Sequence, residues 1–353
     1  MTKDNHILIK NIYYMLSYAF RVLKQGGYEK VAAEEFDHIH NLMAAILSVG
    51  IGRQIKRGLY REYISRKEDI PVARGKIDMM GSLKNLISRK RLLACEYDEL
   101  SENNLLNQII KTTVMSLLLH GEVKEEYKSD LKKEMLFFSN VDVIKPSAIR
   151  WSAIRFDRNN NEYRMLISLC QLVLQGLLQT TESGEYKLAS FFNEEEMCRL
   201  YEKFILEFYV KECPQVKATA SQIPWALDDD ERTMLPLMQS DVTLTQGERV
   251  LIIDAKYYAK TTQEQYGAHT LHSNNLYQIF AYVKNKDAEF GSKPHTVSGM
   301  LLYAATDEAI LPDCSYRMSG NRISAKTLDL NKDFSEIAAQ LKAIVNEYFP
   351  RVV

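Results

Sequence analysis

The sequence predicts an α/β chain, α+β overall: a mainly helical N-terminal half with a basic, β-rich insert, then a C-terminal half with a mixed central sheet flanked by helices. Three observations predict it. Apolar residues recur at helical spacing through much of the first 180 residues. Residues 53–91 break that rhythm and carry twelve Lys and Arg against four acids, a local charge of +8. From Asn193 onward, helix, strand, strand, helix and strand patterns follow in turn. At ~150 residues per domain, 353 residues suggest two domains, expected at 1–160 and 161–353.

Residues 7–23 place Ile12, Met15, Leu16, Ala19, Phe20 and Leu23 on one helical stripe. Residues 34–49 repeat it through Phe36, Ile39, Leu42, Met43, Ile46 and Leu47, and Gly50 and Gly52 are expected to end that helix. Residues 55–78 alternate loosely around Gly58, Pro71 and Gly75, which predicts short strands or a β-ribbon. Residues 92–142 reverse the charge, with ten acids against five Lys. Helices are expected at 103–119, 122–138 and 163–178. Polar, turn-rich segments at 157–162 and 180–185 locate a domain boundary within 145–190.

Residues 193–210 form the next helix, with Met197, Leu200, Tyr201, Phe204, Ile205 and Phe208 on one face. Asn193 can cap it, and Glu194, Glu195 and Glu196 suit the positive end of its dipole. Residues 237–245 and 250–255 read as strands joined by the turn Gln246-Gly247-Glu248. Residues 274–285 are helical, 297–304 an apolar strand and 334–349 a closing helix.

Composition narrows the function. Hydrophobic residues at 46% exclude a mostly disordered chain. A net charge of −1 argues against coating nucleic acid by bulk electrostatics. Five Cys without a C-x-x-C pair read as reduced thiols, and no zinc site is expected. With no signal-peptide pattern and no stretch near the ~20 apolar residues of a span, a soluble, cytoplasmic protein without membrane contact is expected. No G-x-x-x-x-G-K-[ST] run occurs, so the chain has no P-loop of its own.

The sharpest constellation is Asp241, Asp254 and Lys256. Residues two apart on a strand share a face, so Asp254 and Lys256 project together. The hairpin brings Asp241 alongside. Two carboxylates at close range repel unless a cation sits between them, and oxygen ligands with room for waters suit Mg²⁺. Such a metal activates water and stabilises charge on a scissile phosphate, while Lys256 orients or deprotonates the water or neutralises developing charge. A structural Asp254–Lys256 salt bridge is the plain alternative.

The spacing D-x12-D-x-K across two strands resembles the PD-(D/E)xK nuclease core. That resemblance implies a Glu from the preceding helix near the metal: Glu202 is the first choice and Glu196 the second, with a solvated helix charge as the alternative. Gln278 and Tyr282, four apart on one helical face, match the Q-x3-Y helix of RecB-like members. Gln278 would position a phosphate or the water; Tyr282 would contact DNA or simply pack in the core.

Further segments are similar to McrC proteins as a set: residues 11–19 (NIYYMLSYA), Gly75-Lys76-Ile77, residues 99–107 (ELSENNLLN), residues 235–241, residues 254–258 (DAKYY) and residues 272–278 (HSNNLYQ). The resemblance implies the nuclease subunit of a two-part, GTP-dependent restriction system. Its McrB-like AAA+ partner would bind the GTP, recognise double-stranded DNA with modified cytosine and translocate it. Domain 1–160 would dock on the partner and stimulate its GTPase; domain 161–353 would be the nuclease. Asp241, Asp254 and Glu202 would hold Mg²⁺, with Lys256 and Gln278 completing the catalytic set. The basic stretch, including Arg57, Arg61, Arg74 and Lys76, would meet the partner or DNA; an ordinary solvated face is the alternative. A regulatory adaptor without catalysis and a stand-alone nuclease remain the competing functions.

Overall fold

In the computed structural model, the structure describes residues 3–4, 7–20, 28, 31, 34–158, 160, 162–182, 194–229, 231–257, 262–265, 268–305 and 311–350. The chain divides into two compact units, residues 1–39 with 187–353, and residues 40–186. This division differs from the expected one at 160/161, because the opening helix packs with the C-terminal half.

Short strands β1 (Lys3–Asp4) and β2 (Ile7–Leu8) pair antiparallel and lead into α1 (Ile9–Ala19). The expected helix is present over that range, and residues 21–23 lie outside the described residues. Ile12, Tyr13, Met15 and Leu16 are buried. Asn11, itself buried, donates from its amide to Leu330 O at 2.8 Å and Lys332 O at 2.7 Å. Those bonds tie the N-terminal helix to residues more than three hundred positions away. Tyr14 stacks on Phe334 with centroids 4.4 Å apart.

The unit 40–186 is organised around α2 (Ile39–Arg57), β3 (Glu62–Ile70), β4 (Lys76–Ile77), α3 (Met79–Ile87), β5 (Leu93–Ser101), α4 (Leu105–Leu119), α5 (Glu125–Met135) and α6 (Tyr163–Glu182). Helix α2 runs through Gly50 and Gly52 rather than ending there. Ile51 is fully buried, so packing outweighs the roughly 1 kcal/mol that each helical Gly costs. The stop comes at Gly58, whose φ of 90° suits Gly. The expected β-ribbon is a three-stranded antiparallel sheet in the order β3-β5-β4. Strand β5 and helix α3 are additions to the sequence reading. Asn104 caps α4 by accepting from Asn107 N, and Asp78 caps α3 by accepting from Met80 N. Helix α6 continues past 178 into the expected turn; residues 183–193, including the expected cap Asn193, lie outside the described residues.

The other unit resumes with α7 (Glu194–Glu212), β6 (Lys217–Thr219), β7 (Gln222–Ile223), β8 (Met238–Gln239), β9 (Val242–Gln246), β10 (Arg249–Lys256), β11 (Thr262–Gln265), β12 (Ala268–Leu271), α8 (Ser273–Ala288), β13 (Thr296–Ala304), β14 (Cys314–Met318), β15 (Asn321–Leu328) and α9 (Phe334–Tyr348). Six strands form a mixed sheet in the order β14-β15-β13-β10-β9-β6. β10 is parallel to β13 and antiparallel to β9. The single strand expected over 237–245 is broken at Ser240-Asp241: β8 pairs with β7 in a separate ribbon, and β9 joins the main sheet.

Helix α8 packs on β13 and β10 through Ile279 and Val283, which join Val250, Ile252 and Leu301 in one buried cluster. Gly299 permits this approach: a Cβ there would lie 2.7 Å from Val283 Cγ2 and 2.8 Å from Ile279 Cγ1. Helix α7 packs on α1, β6 and β10. All five cysteines are free thiols. Among the described residues, no helix is long and apolar enough to cross a membrane.

Candidate active site

The site lies at the C-terminal end of β10. The antiparallel register pairs Val242 with Ile253, so Asp241 stands one step beyond, opposite Asp254. The chain leaves the ladder at this point, and Asp241 Oδ2 instead accepts the backbone N–H of Ala255 at 2.8 Å. Asp254 is 1% exposed. Period-two geometry puts it on the same face as Lys256, whose Nζ lies 2.8 Å from Asp254 Oδ2. Lys256 Nζ also donates to Gln278 Oε1 at 3.3 Å. Gln278 Nε2 in turn donates to Tyr282 Oη at 2.9 Å, one helical turn along α8. The close seat of α8 on Gly299 therefore determines where Gln278 meets Lys256.

Electrostatics at this end of the sheet are strained. Burial pushes the Asp241 carboxyl up to about 8, with the neighbouring charges of Asp254 and Glu202 adding to the rise. Burial also raises Asp254, against the opposing pull of Lys256. Glu202, on α7, is raised first by burial and then by Asp254, while Lys256 lowers it. The structure thus couples Glu202 to the two aspartates and the lysine. The side chain of Glu196 lies outside the described residues.

Three carboxyl groups beside one ammonium resist ionising together in so poorly solvated a place, which is why all three are raised, and a bound cation would let them ionise. The donors fit Mg²⁺, being carboxylate oxygens only. Asp254 Oδ2 is buried 2.8 Å from the Lys256 ammonium, and a carboxylate oxygen facing one cation has a second lone pair to offer such an ion.

Sequence reasoning missed the hydroxyl ladder that shapes the break before Asp241. Ser240 is buried, bonds to Thr243 Oγ1 at 2.8 Å and receives Ser221 N–H at 3.3 Å; its own N–H donates to Ser221 O at 3.0 Å. Ser221 Oγ meets Thr219 Oγ1 at 2.7 Å. Local patterning carries no signal for this ladder, because its halves lie about twenty residues apart beside very short strands.

The basic candidates sit in the unit 40–186. Arg57 pairs with Glu162, Arg61 with Glu102 at 2.6 Å, and Arg74 lies 4.1 Å over the Tyr97 ring and 3.8 Å from Glu99. Lys76 is exposed on β4 and lines an open groove of about 690 Å³ with Lys67, Asp78, Met79 and Glu96. The opposed charge blocks of the sequence therefore meet across β3 and β5. Beside them α3 exposes Met79, Met80, Leu83, Leu86 and Ile87, an outward apolar face that sequence reasoning did not mark.

The chain is similar to known proteins in sequence and in fold. A family model described as a McrBC 5-methylcytosine restriction system component matches residues 2–304. The type IV methyl-directed restriction enzyme EcoKMcrBC of Escherichia coli (strain K12) is 28% identical over 346 residues, covering 97% of this chain and 98% of that protein. In a Thermococcus gammatolerans assembly of McrB AAA+ hexamers with bound McrC, one chain matches in fold with a TM-score of 0.53 at 19% identity, over 96% of this chain and 75% of that one. A cryo-EM structure of the McrBC complex from the same organism matches with a TM-score of 0.43 at 21% identity, over 57% of this chain and 58% of that one.

Proposed function

The chain belongs to the McrBC 5-methylcytosine restriction system component family, and on that premise we propose that it is the Mg²⁺-dependent endonuclease subunit of a GTP-driven restriction complex. Its substrate is double-stranded DNA carrying modified cytosine. The observation that carries this reading is the buried Asp241–Asp254 pair, with Glu202 coupled to it and Lys256 held between Asp254 and Gln278.

Asp241, Asp254 and Glu202 would hold the metal. When bound, Mg²⁺ supplies positive charge for the scissile phosphate and lowers the pKa of a water. The chain's own groups do the rest. Asp241 is held in place through the Ala255 amide and the Ser240 ladder, which is preorganisation of the kind that lowers a barrier without reorganisation. The Lys256 ammonium would offset the negative charge that grows on the phosphate or orient an attacking water. Gln278 fixes the Lys256 head and presents its amide to a phosphate oxygen. The water releases a proton to solvent as its oxygen bonds to phosphorus, one P–O ester bond breaks, and the leaving oxygen takes up a proton from solvent.

In this reading GTP binds to a partner AAA+ ring rather than to this chain; the Thermococcus assembly, which pairs McrB AAA+ hexamers with McrC, supports a partner of that kind. Residues 53–91 would meet that partner. Their arginines are largely neutralised by neighbouring acids, while the apolar face of α3 is exposed beside them. Exposed apolar surface of this kind suits a protein more than a phosphate backbone.

The test is cleavage of methylated plasmid by the full chain with its AAA+ partner, Mg²⁺ and GTP, omitting each in turn. The reading expects cutting only with all present. Cutting without GTP or partner would indicate a stand-alone nuclease, and no cutting with everything present would indicate a regulatory adaptor.

A further inference from the structure

The unit 40–186 brings together three metal-ligating side chains that play no part in the proposed nuclease centre: His40, His120 and Glu122. One ligand atom from each lies within 4.8 Å of the others. His40 sits in the first turn of α2, His120 is the C-cap of α4, and Glu122 lies in the turn before α5. We propose that these residues form a site for a divalent transition metal, zinc by its chemistry, that clamps the start of α2 to the α4–α5 turn.

The separations suit such an ion. Ligands about 2.0–2.1 Å from a tetrahedral zinc stand about 3.3 Å apart. His40 Nδ1 and Glu122 Oε2 are already 3.0 Å apart. The His40 and His120 rings stack with centroids 3.9 Å apart and planes at 21°, so a modest splay would turn both nitrogens toward a common point. The Glu122 N–H reaches His120 Nδ1 at 3.4 Å. That bond is long, and it is given up whichever ring nitrogen binds, because a metal at Nε2 requires the Nδ1–H tautomer.

The surroundings hold the three segments in place without the ion. Asn41, next to His40, accepts the Lys124 backbone N–H at 2.9 Å, and Val123 between them in the turn is buried. His120 lies at the carbonyl end of α4, where the helix dipole favours a cation. The His40 side chain is 12% exposed and that of Glu122 is 43% exposed, which provides both a sheltered ligand and an entry path. Two imidazoles and one carboxylate leave a fourth position for water and select zinc over magnesium, which prefers oxygen donors alone. The absence of C-x-x-C pairs does not bear on this site, whose ligands include no cysteine.

Co²⁺ titration of the metal-stripped full chain separates the two centres. Four-coordinate Co²⁺ with nitrogen ligands absorbs visible light strongly, whereas octahedral oxygen sites absorb weakly. The expected result is one equivalent of strongly absorbing Co²⁺ per chain, displaced by Zn²⁺, retained in Asp254→Asn and lost in His120→Ala. Glu122→Gln, a mild change at a half-exposed position, should bind at least about tenfold more weakly. Zn²⁺ should also raise the melting temperature of the wild-type chain and leave that of His120→Ala unmoved. No strong absorption in the wild-type chain, or absorption that survives both His40→Ala and His120→Ala, overturns the proposal.

Discussion

The end of β10 and the sheet of β3, β4 and β5 both concentrate charge, with opposite consequences. At β10 the charges are mostly of one sign and buried, and their pKa values are displaced. On the three-stranded sheet they are of both signs, exposed and paired: Arg66 with Glu99, Lys67 with Glu96, Arg61 with Glu102. Water and neighbours satisfy the second set, so its large sequence charge makes little demand on a ligand. The first set has only Lys256 to offset it, and the proposed metal would supply the rest of the positive charge. Sign and burial, rather than the number of charges, separate the proposed reactive centre from a solvated face.

The largest expected effect follows from removing one buried charge at β10. Asp254→Asn should lower cleavage on the order of 10³-fold or more, measured with partner, GTP and Mg²⁺. The same variant should fold with a melting temperature close to that of the wild-type chain in metal-free buffer, since it removes repulsion from Asp241 and the desolvation of a buried carboxylate along with the Lys256 ion pair. A large drop in melting temperature would mean that the carboxylate is structural.

A smaller effect comes through the floor of the site. Gly299→Ala forces a Cβ against Ile279 and Val283. Such overpacking costs about 1–3 kcal/mol and should shift α8 and Gln278 away from Lys256. Activity should fall about tenfold even at temperatures where the chain is folded, as denaturant melts run beside rate measurements would reveal.

In the unit 40–186, Glu134 is a half-buried acid. Burial raises the Glu134 carboxyl to about 7, although Ser48 donates to it at 2.8 Å. The folded state thus holds this proton more tightly than the unfolded chain, where Glu titrates near ~4.3. Its stabilising contribution is whole below that value and is lost as pH rises through about 7. Melting temperatures followed from about pH 5 to pH 8 should decline less steeply in Glu134→Gln than in the wild-type chain.

The smallest effect is expected on the paired surface. Arg61→Ala should change stability by less than about 1 kcal/mol and leave cleavage unaltered. A loss of GTPase stimulation without a loss of stability would instead make Arg61 a partner contact.

Legibility from sequence followed the same contrast. Asp254 and Lys256 were readable together because a strand's period of two forces them onto one face, and Gln278 with Tyr282 because a helix repeats every four. The coupling of Asp241 to the pair followed from a three-residue turn. What was not readable depended on distant chain. Ser240 is held by Ser221 and Thr219, which no local pattern links to it. Helix α2 crosses Gly50 and Gly52 because burial of Ile51 outweighs propensity. Helix α3 escaped notice because Met79, Met80, Leu83, Leu86 and Ile87 face outward. Strand β5 mixes acids with half-buried residues and shows no clean alternation. The opening helix lies with the C-terminal half through contacts with distant chain: Asn11 meets Leu330 and Lys332, Tyr14 stacks on Phe334, and Tyr18 donates to Glu212.

The most direct measurement pairs two readouts on Lys256→Ala assembled with the AAA+ partner. The account predicts that methylated plasmid stays intact while stimulation of partner GTP hydrolysis matches the wild-type chain. GTP-driven cleavage by Lys256→Ala at the wild-type rate would contradict it.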